Sequence, residues 1–474
     1  MIKLKLIEKN ELKWRGFFMN KYAVVLAAGK GTRMKSSLHK VLHHVLGKSM
    51  VDHAITVLEN SGVEKIVTVI GYQAEAVRKE LGERVEYAMQ TEQLGTGHAV
   101  MMTKDMLEGR EGLTIVTYGD GPLLTKETIN NLFDYHMEQK ATVTVLTSVP
   151  NDPTGLGRII RDDQGNVLKI VEQKDATAEE LAVDEINTGV CVYDNKVLFD
   201  ALNKVNNDNS QGEYYLTDLV GIVREMGLKV VAYVNDDYEE TLGINDRVQL
   251  AYAEKVLRKR VNEMHMRNGV TLIDPEATYI SVDAVIGQDV IIYPGTVISG
   301  KTSVGANTII GANSQLLNAT IGENVTINAS VIDSSSVANN TTVGPYAHIR
   351  MNSDIGANVR IGNFVEVKNS TYKEGAKSAH LSYIGDAELG ENVNVGCGAI
   401  TVNYDGKNKF RTVVGANTMV GCNVNLIAPI TIAPNSYLAA GSTLNQDVPE
   451  DGFAIARCKQ VTKSGYASKI RSKM

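Results

Sequence analysis

A loop of small residues carrying two cations, Leu26-Ala27-Ala28-Gly29-Lys30-Gly31-Thr32-Arg33-Met34, is the first stretch of this chain equipped for chemistry. Small side chains let the backbone approach a nucleotide, the loop N–H groups can face phosphate, and Lys30 and Arg33 add positive charge. The spacing is not that of a Walker loop, since Val24 stands at its first glycine and Gly31 follows the lysine where Ser or Thr is required. Nor is it a dinucleotide fingerprint, because Met34 occupies the third glycine position. Much later, His380 stands among Arg350, Lys368, Tyr383 and Asn394. Guanidinium and ammonium groups suit a sugar phosphate, and imidazole is the natural base for a proton lost near neutral pH. Only His348 and His380 follow Met266, too few for a three-histidine metal site of the carbonic-anhydrase kind.

The elements that must position these residues fall into two grammars. Over residues 19–247, apolar runs at 23–26, 65–70 and 113–117 alternate with amphipathic segments such as 50–60, which predicts an α/β fold with a mostly parallel, doubly wound sheet. Residues 248–268 are charged and helical in pattern and predict one long linker helix. Beyond, over 269–474, Ile286, Ile292, Ile298, Val304 and Ile310 recur every six residues, and the period resumes from Val337 through Val343, Ile349, Ile355 and Ile361 to Val367. That period fits neither helix nor ordinary strand; it predicts a triangular coil of short parallel strands with an inward aliphatic on each face. The coil is expected to break into a loop over 368–379, ahead of His380, and again at a polar insertion over 403–410. Residues 1–18 read as an N-terminal extension, because Met19 opens the first strand pattern.

The chain has 474 residues, with 43% hydrophobic and 22% charged, and so has ample core material for two or three domains. A net charge of −7 gives no footprint for nucleic acid, and no apolar run is long enough to span a membrane. Four scattered cysteines, Cys191, Cys397, Cys422 and Cys458, lack zinc-site spacing and read as reduced thiols of a cytoplasmic protein.

With its flanking residues, the glycine loop resembles the signature of sugar-phosphate nucleotidyltransferases. Matching residues stand at Lys40, Gln90, Leu94-Gly95-Thr96-Gly97-His98-Ala99, Tyr118-Gly119-Asp120, Gly157-Arg158-Ile159, Glu172, Asn187-Thr188-Gly189 and Gly243-Ile244-Asn245. Taken with the hexapeptide half, the chain resembles the bacterial bifunctional N-acetylglucosamine-1-phosphate uridyltransferase/glucosamine-1-phosphate acetyltransferase family, from Met19 to about Arg457. The resemblance implies a left-handed parallel β-helix for the second half and synthesis of UDP-N-acetylglucosamine, a peptidoglycan precursor. Acetyl transfer from acetyl-CoA to glucosamine-1-phosphate would come first, then uridylyl transfer from UTP with release of pyrophosphate.

It also implies roles. Leu26, Ala27, Ala28, Gly29, Gln90, Gly95 and Thr96 would hold the uridine nucleotide, and Gly157, Glu172 and Asn187 the N-acetylglucosamine. Asp120 and Asn245 would ligate Mg²⁺, while Arg33 and Lys40 neutralise the triphosphate. His380 would be the general base; Arg350, Lys368 and Tyr383 would grip the phosphate and Asn394 orient the sugar. Acetyl-CoA would contact Cys397, Asn403, Tyr404, Cys422, Ala440 and Arg457, and the basic tail beyond Ala454 would cover part of it. A homotrimer is implied as well. Departures from the family pattern stand at His39 (usually Pro), Gly121 (usually larger), Met351 (usually Pro), Cys397 (usually Ala) and Cys422 (usually Ser). A single-activity nucleotidyltransferase and a nucleotide-sensing scaffold are the alternatives. The His380, Asn394 and Tyr404 constellation argues against the first, and intact Arg33, Asp120 and Asn245 against the second.

Overall fold

The computed structural model describes residues 19–473, so the expected extension over 1–18 lies outside the described residues. The chain divides into two compact units between Leu257 and Arg258, inside the single helix Arg247–Arg267.

In the first unit β1 (Lys21–Ala27), β2 (Lys65–Ile70), β3 (Glu86–Met89), β4 (Leu113–Tyr118), β5 (Val143–Ser148), β6 (Ile186–Asp194) and β7 (Val230–Val234) lie in the order β7-β5-β6-β4-β1-β2-β3. Only β6 runs antiparallel to its neighbours in this row. Alternate residues of β1 enter different cores: Val24 and Leu26 pack with Val67, Val69 and Val116, whereas Ala23 and Val25 pack with Ile55, Ile66 and Phe133. This two-sided burial explains why the strands read as continuous apolar runs. The chain proceeds from β1 to β2 and β3 on one side and returns on the other side at β4. The resulting switch point opens a crevice at the carboxyl ends of β1 and β4, where ligands of such sheets bind.

The second unit is a left-handed β-helix of hexapeptide repeats. Short parallel strands pair with those one coil on: Val297 with Gln315, Thr320 with Ser336, and Ser336 with Asp354. Val304, Ile321, Val337 and Ile355 stack inward along one face, each shielded from water. Each such side chain stabilises the coil by about 1.5–3 kcal/mol through burial. Corners repeatedly use Asn in the left-handed region, as at Asn307, Asn313, Asn340, Asn358 and Asn417. Its short amide tolerates that conformation better than other non-glycine residues do.

The expected loop over 368–379 is not there. Thr371–Tyr372 and Lys377–Gly385 are strands, Arg360 pairs with Lys377, and the coil continues without a break. The aliphatic spacing fails because Tyr372 fills the inward position between Ile355 and Leu389, with its hydroxyl 2.9 Å from Ser378 Oγ. The insertion over 403–410 is real: Ile400 pairs with Asn425, a longer return than in neighbouring coils, and Tyr404 bridges Lys409 across the excursion.

Candidate active sites

In the first unit, an open cavity of about 220 Å³ sits at the switch point, lined by Leu26, Ala27, Ala28, Gly29, Gln90, Gly95 and Thr96 together with Lys40 and Asp120. All seven expected nucleotide residues therefore share one wall system. Buried Gln90 donates to the Gly95 carbonyl at 3.1 Å and lies 3.1 Å from His98 Nδ1, which fixes its amide.

At the mouth, charge converges from three loops. Lys40 pairs with Asp120 and also donates to Asn245 Oδ1 at 3.1 Å, an oxygen that Arg33 reaches at 2.8 Å. The Ile244 N–H donates to the Asp120 carbonyl at 2.9 Å, tying the two oxygen-bearing loops together. Gly31, at φ +59°, makes room for Lys40: a Cβ there would stand 2.4 Å from the lysine Cβ. The Lys40 ammonium thus occupies a point shared by two hard oxygen donors, a geometry that fits a divalent cation. Among the described residues no group of three or more His, Cys, Asp or Glu is placed to hold a metal ion, so a cation here would leave several positions to water or to ligand oxygens.

Gly157, Glu172 and Asn187 also come together. The Asn187 N–H donates to the Gly157 carbonyl at 2.9 Å, and a Cβ on Gly157 would lie 3.5 Å from Glu172 Oε2. Burial, with help from Asp175 and Asp218, pushes the Glu172 carboxyl above its usual range despite the Thr217 hydroxyl.

In the second unit, one corner of the coil carries a column. Asn363 is in register with His380, and Ser378 with Val395, so His380 stacks on Cys397. The Asn423 N–H donates to the Cys397 carbonyl and the Gly441 N–H to the Cys422 carbonyl, each at 2.8 Å, which continues the column through Cys422 to Ala440. Arg457 closes it, donating to the Ala440 carbonyl at 2.8 Å. His380 is exposed on this corner, free to meet a substrate.

Around the corner stands a cationic cluster. Arg350 is in register with Lys368 and is held by Glu366 at 2.7 Å; Tyr383 stacks on Glu366. Lys368 lies 3.7 Å from Asp386. Asp386 also accepts from Asn369 at 2.5 Å and from buried Asn403, whose amide is 3.4 Å from the Tyr383 hydroxyl. Burial pushes the Asp386 carboxyl up, but these amides and the Lys368 and Lys409 ammoniums outweigh it and hold it below the usual carboxylate range. Lys368 in turn holds the Lys409 ammonium below its usual value. Two neighbouring ammoniums of this kind invite a dianion. At Gly385 a Cβ would fall 2.4 Å from the Tyr383 hydroxyl, so any side chain there would push the tyrosine aside. Asn394 stays apart from this cluster, on the face before the corner, with its amide on Met419 Sδ at 3.0 Å.

Residues 22–247 match the nucleotidyl transferase family model, and residues 283–318 match that of the bacterial transferase hexapeptide with six repeats. The bifunctional protein GlmU of an Exiguobacterium species is 55% identical over 95% of this chain and all of its own length. The protein of that name from Exiguobacterium sibiricum is 56% identical over 94% of this chain and all of its own length, and the one from Enterococcus faecalis is 54% identical over 95% and 98%. The chain belongs to the bifunctional GlmU family. It is a bifunctional transferase of UDP-N-acetylglucosamine synthesis, acetylating glucosamine-1-phosphate and coupling the product to UTP.

Against the GlmU pattern, two departures are structurally mild. His39 takes φ −57° and ψ 140°, a backbone that proline also adopts, so the turn presenting Lys40 is kept. Its ring is buried against Tyr72, and burial holds the imidazole below its usual value. Gly121 has open space around its missing Cβ, with only the Tyr118 carbonyl at 3.8 Å. Residues not anticipated from the sequence are Gln93 and Glu213 in the first cavity, and Glu366, Asp386 and Lys409 in the second site. Asp386 gives no sequence signal because, at φ +51°, it reads as one more polar corner residue. Among the described residues no helix is long and apolar enough to cross a membrane.

Proposed function

We propose that the cavity of the first unit is the uridylyl-transfer site and the His380 corner of the second the acetyl-transfer site. The observation that carries the reading is the convergence of Asp120, Asn245, Arg33 and Lys40 at the mouth of a cavity walled by the glycine loop. Leu26 to Gly29, Gln90, Gly95 and Thr96 bind the nucleotide, and Gly157, Glu172 and Asn187 bind the N-acetyl sugar. Asp120 and Asn245 hold Mg²⁺, which when bound neutralises charge building on the phosphates. Arg33 and Lys40, engaged with Asn245 and Asp120 beforehand, turn to the triphosphate. The sugar-phosphate oxygen attacks the α-phosphorus in line and pyrophosphate leaves. No protein nucleophile is needed, only positioning and charge neutralisation.

At the second site Arg350, Lys368 and Tyr383 grip the phosphate of glucosamine-1-phosphate, and Asn394 orients the sugar. His380 takes a proton from the ammonium, and the freed amine attacks the thioester carbonyl. The Cys397 N–H steadies the oxyanion, and the thiolate of coenzyme A departs. Asn403, Tyr404, Cys422, Ala440 and Arg457 line the path of acetyl-CoA, and the exposed basic tail with its helix Tyr466–Arg471 covers the far end. The exposed corner column of Tyr346, Phe364 and Leu381 beside His380, with the two rings stacked at 5.6 Å, supports association into a homotrimer. Free cysteines, together with nucleotide and thioester substrates, support a cytoplasmic location. Chelation tests the metal assignment: EDTA abolishes uridylyl transfer and added Mg²⁺ restores it, while acetyl transfer continues throughout. Loss of acetyl transfer on chelation contradicts the division of labour.

A further inference from the structure

Cys397 and Cys422 are both exposed, and they stand on successive rungs of the same corner. Val395 is paired with Val420, so the two cysteines lie two residues beyond a registered pair, and the Asn423 N–H bonds the Cys397 carbonyl at 2.8 Å. A parallel ladder sets such Cα atoms about 4.8 Å apart, inside the range that a disulfide spans. Side chains at equivalent corner positions leave the coil in the same direction. Their Cβ atoms therefore stay about a rung apart, beyond the roughly 3.5–4.5 Å of a relaxed bridge, so closure must draw the two rungs together locally and the bond is strained and easily reduced. Neither neighbouring rung competes: the position before Cys397 in the column is His380 and the one after Cys422 is Ala440. Among the other cysteines, Cys191 belongs to the first unit, where burial pushes its thiol up to about 12, and Cys458 lies in the exposed tail.

We propose that Cys397 and Cys422 form a reactive dithiol that the disulfide of coenzyme A oxidises, switching acetyl transfer off while leaving uridylyl transfer running. The inference rests on the reading that the thioester sulfur is delivered beside Cys397. A coenzyme A disulfide entering by the same path brings its own sulfur–sulfur bond to that thiol. One cysteine thiolate attacks a sulfur of the small disulfide, giving a mixed disulfide and releasing one coenzyme A thiolate. The second cysteine thiolate attacks the protein sulfur of the adduct and releases the other coenzyme A. Two electrons pass from the dithiol to the small disulfide, and two molecules of coenzyme A thiol are formed. The closed bridge bolts two rungs together and removes the space beside the Cys397 N–H. Reduction by a small thiol reopens it.

The test uses the reduced full-length protein, with Cys458→Ser to simplify mapping, treated with coenzyme A disulfide or glutathione disulfide. The intact mass should fall by two hydrogens, and peptide mapping should find Cys397 joined to Cys422. Acetyl transfer should fall at least about tenfold and return with dithiothreitol. Uridylyl transfer from added N-acetylglucosamine-1-phosphate should not change. Coenzyme A disulfide should act faster than glutathione disulfide, and acetyl-CoA should slow it. Cys397→Ala and Cys422→Ser should each form no internal link and stop at a coenzyme A mixed disulfide, read as a gain of mass in place of the loss of two hydrogens and removed by dithiothreitol. Absence of the Cys397–Cys422 link, or persistence of a coenzyme A adduct without ring closure, overturns the dithiol and leaves the acetyl-transfer assignment standing. A link that forms without loss of acetyl transfer contradicts the switch and removes the thioester from this corner.

Discussion

The two halves of the molecule solve one problem, holding a phosphorylated sugar beside an activated donor, by different geometries. In the α/β unit the charged groups come from loops far apart in sequence: Arg33 meets Asn245 across 212 positions. In the β-helix they come from successive turns of one coil, so that His380, Cys397, Cys422 and Ala440 fall into a column by translation alone. The first arrangement pairs its cations with its own acids while it waits for substrate, as Lys40 does with Asp120. The second leaves Lys368 and Lys409 side by side around a single carboxylate, Asp386. Loop-built sites can therefore be adjusted one residue at a time. In a column, a slip of one residue would displace every group at once.

This contrast can be broken at its apolar corner first. Phe364→Asp places a charge in the exposed aromatic column and should cost about 2–4 kcal/mol of subunit association. Sedimentation should then show dissociated subunits with acetyl transfer lost and uridylyl transfer retained. Equal loss of both activities would mean that the corner merely supports folding. Next in size is Asp386→Asn, which removes the charge that organises Lys368, Asn369 and Asn403. Acetyl transfer should drop about tenfold to a hundredfold, corresponding to about 1.5–3 kcal/mol, with the KM for the sugar phosphate rising. The uridylyl rate serves as the internal control.

Acid should separate the halves as well. His136 is buried in the first unit, 2.8 Å from Thr144 Oγ, and burial lowers its imidazole to about 4. The unfolded chain binds that proton near 6.5, so stability is present above 6.5 and is lost as pH falls from there towards about 4. The loss amounts to about 3 kcal/mol. The second unit has its own buried histidine, His265, held low by burial, but the first has His39 and His43 held low besides His136, so thermal melts from pH 7 to 4.5 should lower the α/β transition first. The smallest effect belongs to Gly121→Ala, where open space and a negative φ allow the methyl group; it should raise stability by about 0.4–1 kcal/mol and leave uridylyl transfer intact.

Much of this architecture was legible in the residues. The six-residue aliphatic period specified the coil because an inward side chain must recur on every face. The glycine loop marked one wall of the first cavity, where small residues leave the backbone open to approach. The reading failed where an inward position was filled by a different kind of side chain. Tyr372 and Ser378 made a regular coil look like a loop, since an aromatic hydroxyl satisfied by a serine packs inside but does not register as an aliphatic. It also missed groups whose role depends on three-dimensional neighbours. Asp386 gains its importance only when the insertion over 403–410 returns Asn403 to it and brings Lys409 near. His39 and Gly121, departures in sequence, proved conservative in backbone and space.

Two separate proposed sites in one chain make a specific demand on mixing. Asp120→Ala supplied with glucosamine-1-phosphate, acetyl-CoA, UTP and Mg²⁺ should accumulate N-acetylglucosamine-1-phosphate, and His380→Ala alone should consume nothing. Combined in one vessel, the two variants should make UDP-N-acetylglucosamine, because the intermediate released by one is taken up by the other. A mixture as inactive as its separate components would contradict the account.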